Sequence, residues 1–233
     1  IPTSPLVAWL TFYSISALSA LLIHARFAVA LFDKLIEFVL PAIIVFSIAK
    51  ILSTTQDYHP LMNYGYIAYI TAFATHYFWL WKNHGQTQPW HHILAYITLV
   101  LLCGLELGYY THIFEPTVAG KTSGWLLATI LGIVLLLLPQ RYRKFPLTVL
   151  SEKYQYMAGF PLIALATVLC AASFTSITML FGHYIPLLNL SDITELLTIL
   201  VFIVFYRHAN VDADIKNNVA TLNGGLVFLF INA

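Results

Sequence analysis

His92-Ile93-Leu94-Ala95-Tyr96-Ile97-Thr98-Leu99-Val100-Leu101-Leu102-Cys103-Gly104-Leu105-Glu106-Leu107-Gly108-Tyr109-Tyr110-Thr111-His112-Ile113-Phe114 decides how this chain is read. The stretch holds one acid, Glu106, and neither lysine nor arginine. A helix that crosses a bilayer needs roughly 20 predominantly apolar residues, and this run supplies them. Working outward, comparable runs occupy 5–23, 35–52, 62–81, 123–139, 157–181, 192–206 and 219–233. The second, the fifth and the last two are at or below the usual length, and the last is cut by the chain end. Composition agrees: 60% of residues are apolar and 9% charged, against about 25% charged in soluble domains. The expected fold is an all-α, polytopic transmembrane bundle of about eight spans with short loops, seven full and one truncated. Residues 1–233 form a single such region, expected to be the C-terminal piece of a longer chain.

Charge placement gives an independent check, because cytoplasmic loops collect Lys and Arg. Eight alternating spans put Arg26, Lys34, Lys82, Arg141, Arg143, Lys144, Lys153, Arg207 and Lys216 on one side. Only Lys50 and Lys121 fall on the other. The N-terminus is therefore expected outside a bacterial inner membrane. The loops around 24–34, 82–91, 140–156 and 207–218 are expected in the cytoplasm. Trp79, Trp81 and Trp90 flank one inner turn, where interfacial aromatics belong. Asn189, with Asp192, is a candidate cap for the seventh span, and Pro139 a stop for the fifth. The net charge of +1 gives no reason to expect nucleic acid. The bilayer, other membrane proteins and helices upstream in the same chain are the expected partners.

Lipid tails are as apolar as leucine, so membrane helices associate through small residues and interhelical hydrogen bonds. Small stripes at helical spacing are expected to face inward. They are Ser14, Ala17, Leu21 and His24 in the first span, and Gly65, Ala68, Ala72 and His76 in the third. The sixth carries Ala164, Thr167, Ala171, Thr175, Thr178 and Gly182, and Gly104 and Gly108 form a GxxxG pair in the fourth. Cys103 and Cys170 read as small buried hydrophobes.

Ionisable groups in hydrocarbon cost at least about 2.5 kcal/mol each on insertion scales, so each calls for a role. Glu106 lies roughly 21 Å into the fourth span and Lys50 about 22 Å into the second, counted at 1.5 Å per residue. The two are at matching depth for a pair; alternatively Lys50 snorkels to the interface. His24, His76 and His92 cluster toward the inner side, which raises a bis-histidine haem or proton relay against ordinary interfacial packing. No metal site is expected, and no cofactor beyond that haem alternative. Gly120-Lys121-Thr122 lacks the earlier glycine of a phosphate loop, Glu115 standing there. Asn210, Asp212 and Asp214 lack the glycine and closing glutamate of a calcium loop. His91-His92 lacks the spacing of a helical zinc pair, and no nucleophile motif occurs.

Longer stretches carry a resemblance. His59-Pro60-Leu61 precedes a helix ending His76-Tyr77-Phe78-Trp79-Leu80-Trp81; His92 and then Leu105-Glu106-Leu107 follow. Tyr184-Ile185-Pro186-Leu187-Leu188-Asn189-Leu190-Ser191-Asp192 leads into the seventh span, and Leu222-Asn223-Gly224 and Phe228-Leu229 stand near the end. In these the chain resembles the C-terminal portion of a bacterial family of many-spanning predicted membrane proteins, domain of unknown function 2339. Leu105 stands where that family often has Trp, and Leu190 where it has Pro. The resemblance implies an inner-membrane protein and supplies no reaction or catalytic residue. Three functions are weighed: a non-enzymatic envelope scaffold or assembly factor; a transporter or lipid-handling channel using Glu106, Lys50 and the threonine stripe; and a haem or redox subunit using the inner histidines.

Overall fold

The computed structural model describes residues 5–27, 59–62, 64–83, 88–138, 155, 157–174, 189–209 and 212–232. Among the described residues there are seven helices and no strand: α1 (Pro5–Phe27), α2 (Gly65–Lys82), α3 (Pro89–Phe114), α4 (Val118–Leu137), α5 (Gly159–Ser173), α6 (Leu190–His208) and α7 (Ala213–Asn232). Of these, α3 and α4 are long and apolar enough to cross a membrane. The span expected at 35–52, with Lys50, lies outside the described residues.

The chain divides into two compact units, Ile1–Thr98 and Leu99–Ala233, with α3 contributing to both. In the first unit α1 packs on α2. Ser14, Ala17 and Leu21 are buried on α1, and the small residues Ala68 and Ala72 on α2, while Gly65 closes against the Pro60 backbone. Ser14 Oγ donates to the Ala68 carbonyl at 3.5 Å. A hydroxyl with no water to turn to gains most from a backbone acceptor on the neighbouring helix.

In the second unit α4 packs against α5 and α6, and α6 against α7. The approach of α4 to α3 depends on glycine. A Cβ on Gly124 would sit 2.4 Å from the backbone of Leu107 and Gly108, and one on Gly104 or Gly108 would enter the Trp125 ring. The GxxxG pair thus cradles an indole, and Gly124 lets the two backbones meet. At the far end of α4, Phe202 and Phe205 of α6 are fully buried, and a Cβ on Gly159 would lie 2.9 Å from the Phe205 ring. Gln155 donates to the Leu136 carbonyl at 3.2 Å, satisfying one of the carbonyls that the end of α4 leaves open.

Several helix limits differ from the apolar runs. α4 begins at Val118, five residues before the run, because Thr117 caps it by accepting from Gly120 N at 3.0 Å. Gly120-Lys121-Thr122 is therefore the first turn of a helix. Leu138 is extended, the conformation that a following proline imposes. α6 starts at Leu190 with Asn189 in the capping position, but the Asn189 side chain caps no helix amide. It donates to Asp192 at 3.5 Å instead. α7 starts in the polar stretch at Ala213, so it is a 20-residue helix with a hydrophilic first turn.

Candidate functional site

Buried polar side chains concentrate where the start of α4, the end of α5 and the start of α6 come together. On α6 they follow one face: Ser191, Thr194, Glu195 and Thr198, at spacings of three and four, are all buried. The same face continues as Val201, Phe202 and Phe205, so one end of the seam is polar and the other aromatic. Glu195 is only 4% exposed. Its carboxylate accepts from Ser173 Oγ at 2.5 Å, and Ser173 also lies 2.8 Å from the Cys170 carbonyl. Thr194 Oγ1 reaches the Ser123 hydroxyl of α4 at 3.4 Å and the Ser191 carbonyl at 2.9 Å. Thr198 donates to the Thr194 carbonyl at 2.8 Å. Glu195 with Ser173 thus links α6 to α5, and Thr194 with Ser123 links α6 to α4.

The acid at this centre is not the one that hydropathy singled out. Glu106 is half-buried on α3; its suggested partner Lys50 is outside the described residues. Glu195 was readable from Ser191-x-x-Thr194-Glu195-x-x-Thr198, a polar stripe of helical period. It escaped notice because Asp192 and Asn189, three and six residues earlier, drew the segment into a helix-end reading.

The stripe on α5 also shifts. Ala164 and Ala171 lie on the exposed face, whereas Ala166, Cys170 and Ser173 are buried against the neighbouring helices. One residue is about 100° of helix, so the packed line is the small-residue line next to the expected one. Thr167 is half-buried and donates to its own helix at the Ile163 carbonyl, 2.9 Å away. Thr71, Thr75, Thr98, Thr111 and Thr129 make the same four-back bond. Such threonines are satisfied within their helix and need no water-filled path. Thr175 and Thr178 lie outside the described residues. Cys103, expected inside, is exposed beside the Gly104–Gly108 face, while Cys170 is buried.

The histidines form a separate aromatic cluster in the first unit. His76 and His92 are 1% exposed. The Trp79 ring centroid is 5.5 Å from His76 and 5.7 Å from His91, and His91 stacks on Trp90 at 3.5 Å. Trp79 is thus a core residue and not an interfacial one, leaving Trp81 and Trp90 as the exposed rings of that end. The Trp79 indole packs against both His76 and His91. His24 lies in α1, its side chain outside the described set. No group of three or more His, Cys, Asp or Glu able to hold a metal occurs among the described residues.

The family model described as predicted membrane protein (DUF2339) matches residues 4–233, and the chain belongs to that family. No curated protein matches it, and no solved structure does.

Proposed function

We propose that this membrane protein is a multi-pass component of a bacterial inner membrane, with about eight spans, working as a non-enzymatic envelope scaffold or assembly factor. The observation that supports it best is closure of the α3–α4 contact at backbone distance, where Gly124 leaves no space for even a methyl group. Interfaces of this kind suit a body that holds shape. The orientation that fits the cationic loops has the N-terminus outside, with Arg207 and Lys216 in the cytoplasm. Its partners are then the bilayer and other membrane proteins.

Glu195 favours a second reading, transport. A buried acid that takes a hydroxyl from a neighbouring helix, beside further buried hydroxyls, fits an intramembrane ion or proton site. That reading moves the transport hypothesis from Glu106 and the threonine stripe to Glu195, Ser173, Thr198 and Ser123. Proteoliposomes carrying the purified chain and an imposed pH gradient separate the two. The scaffold reading expects no dissipation above empty vesicles, with Glu106→Gln and Glu195→Gln altering stability or assembly alone. Dissipation that Glu195→Gln abolishes while the variant stays folded would select transport and overturn the scaffold.

A further inference from the structure

A groove of about 390 Å³ opens where the end of α3 turns into α4, lined by His112, Thr117, Lys121, Trp125 and Leu169 among others. Its lining combines a cation with apolar side chains. Lys121 is exposed and one turn into α4, where the helix dipole adds partial positive charge. His112 Nδ1 lies 3.3 Å from the Thr117 carbonyl, and Lys121 is the lysine of the lining. Trp125 and Leu169 supply apolar lining to the same groove. Val118, which lines the groove, is 60% exposed, and Ile113 and Phe114 at the end of α3 are 58% and 85% exposed, which gives this end an apolar rim. This end of α3 and α4 is also where two membrane-length helices meet a short turn, which is headgroup level for a spanning protein.

We infer that the groove binds an anionic phospholipid, its phosphate on Lys121 and the first turns of α4 and its acyl chains along Trp125, Leu169 and the apolar rim. The amphipathic lining selects the occupant: an acidic peptide or free phosphate would leave the indole and the exposed rim uncovered, whereas a lipid satisfies both ends. The inference rests on the membrane reading above, not on either function proposed for the Glu195 cluster.

The test reconstitutes the full chain in micelles with brominated phosphatidylglycerol or brominated phosphatidylcholine and reads tryptophan quenching. The Trp125 contribution is isolated by subtracting the Trp125→Phe variant. The expected result is tighter quenching by phosphatidylglycerol, about fivefold in apparent affinity, as befits one lysine at a lipid phosphate. Lys121→Gln removes the preference and Lys121→Arg keeps it. Equal quenching by the two lipids would overturn the proposal. So would a preference untouched by Lys121→Gln, or full displacement by inorganic phosphate at concentrations that leave the lipid's chains dissolved in the micelle. Failure of the membrane reading looks different: none of the five tryptophans would then be quenched by either lipid.

Discussion

Glu195 shows how much one buried acid asks of its neighbours. Its carboxylate is removed from solvent and its hydrogen bond comes from Ser173, across a helix interface. Leaving a buried polar group unsatisfied costs about 1–3 kcal/mol, more when it is charged. Ser173→Ala is therefore expected to destabilise the chain by about that amount in detergent unfolding. Glu195→Gln keeps an acceptor for Ser173 and is expected to cost less. Combining Ser173→Ala with Glu195→Ala is expected to be less than additive, since each of those changes removes the same bond; strict additivity would show that the contact contributes nothing. The acid's position was legible in the four-residue polar stripe, but its burial was not. Period assigns Glu195 to a face, and only the arrival of Ser173 and Ser123 from other helices makes that face interior.

At the scale of the element, glycines sort by what they face. Gly124 meets the Leu107 and Gly108 backbone, which cannot move aside, so Gly124→Ala is expected to open the α3–α4 contact at a cost of about 1–3 kcal/mol or more. Gly104→Ala meets only the Trp125 side chain and is expected to cost less than Gly124→Ala, because a ring can shift. Gly224 and Gly225 in α7 have nothing within 4 Å. Alanine there is expected to be neutral or to stabilise by up to about 1 kcal/mol through helix propensity. Thermal unfolding of the four single variants checks the order; a Gly124→Ala protein as stable as Gly224→Ala would refute the close approach. Element type and rough position were readable from apolar runs, because length and hydropathy suffice for that. Helix starts were not: α4 and α7 begin in polar sequence, where Thr117 and local backbone bonding set the limit. The α5 seam fell one residue off because Ala164, Thr167 and Ala171 and the packed Ala166, Cys170 and Ser173 are both small stripes. Nothing in their spacing says which one meets a neighbour.

For the molecule as a whole, membership of a predicted membrane protein family and the two long apolar helices α3 and α4 give the same solvent, hydrocarbon. In the proposed orientation, nine basic residues lie on the cytoplasmic side and two outside. Among the described residues, the path from Lys121 near the start of α4 to Arg207 near the end of α6 runs through α4, α5 and α6. Both side chains are exposed, so both sites are open to a reagent. The most direct test places a single cysteine at Lys121 or Arg207, in a background with Cys103→Ala and Cys170→Ala, and labels intact cells with a membrane-impermeant maleimide. The account predicts labelling from outside at position 121, and at position 207 only after the membrane is permeabilised. Equal labelling of both positions in sealed cells would contradict it.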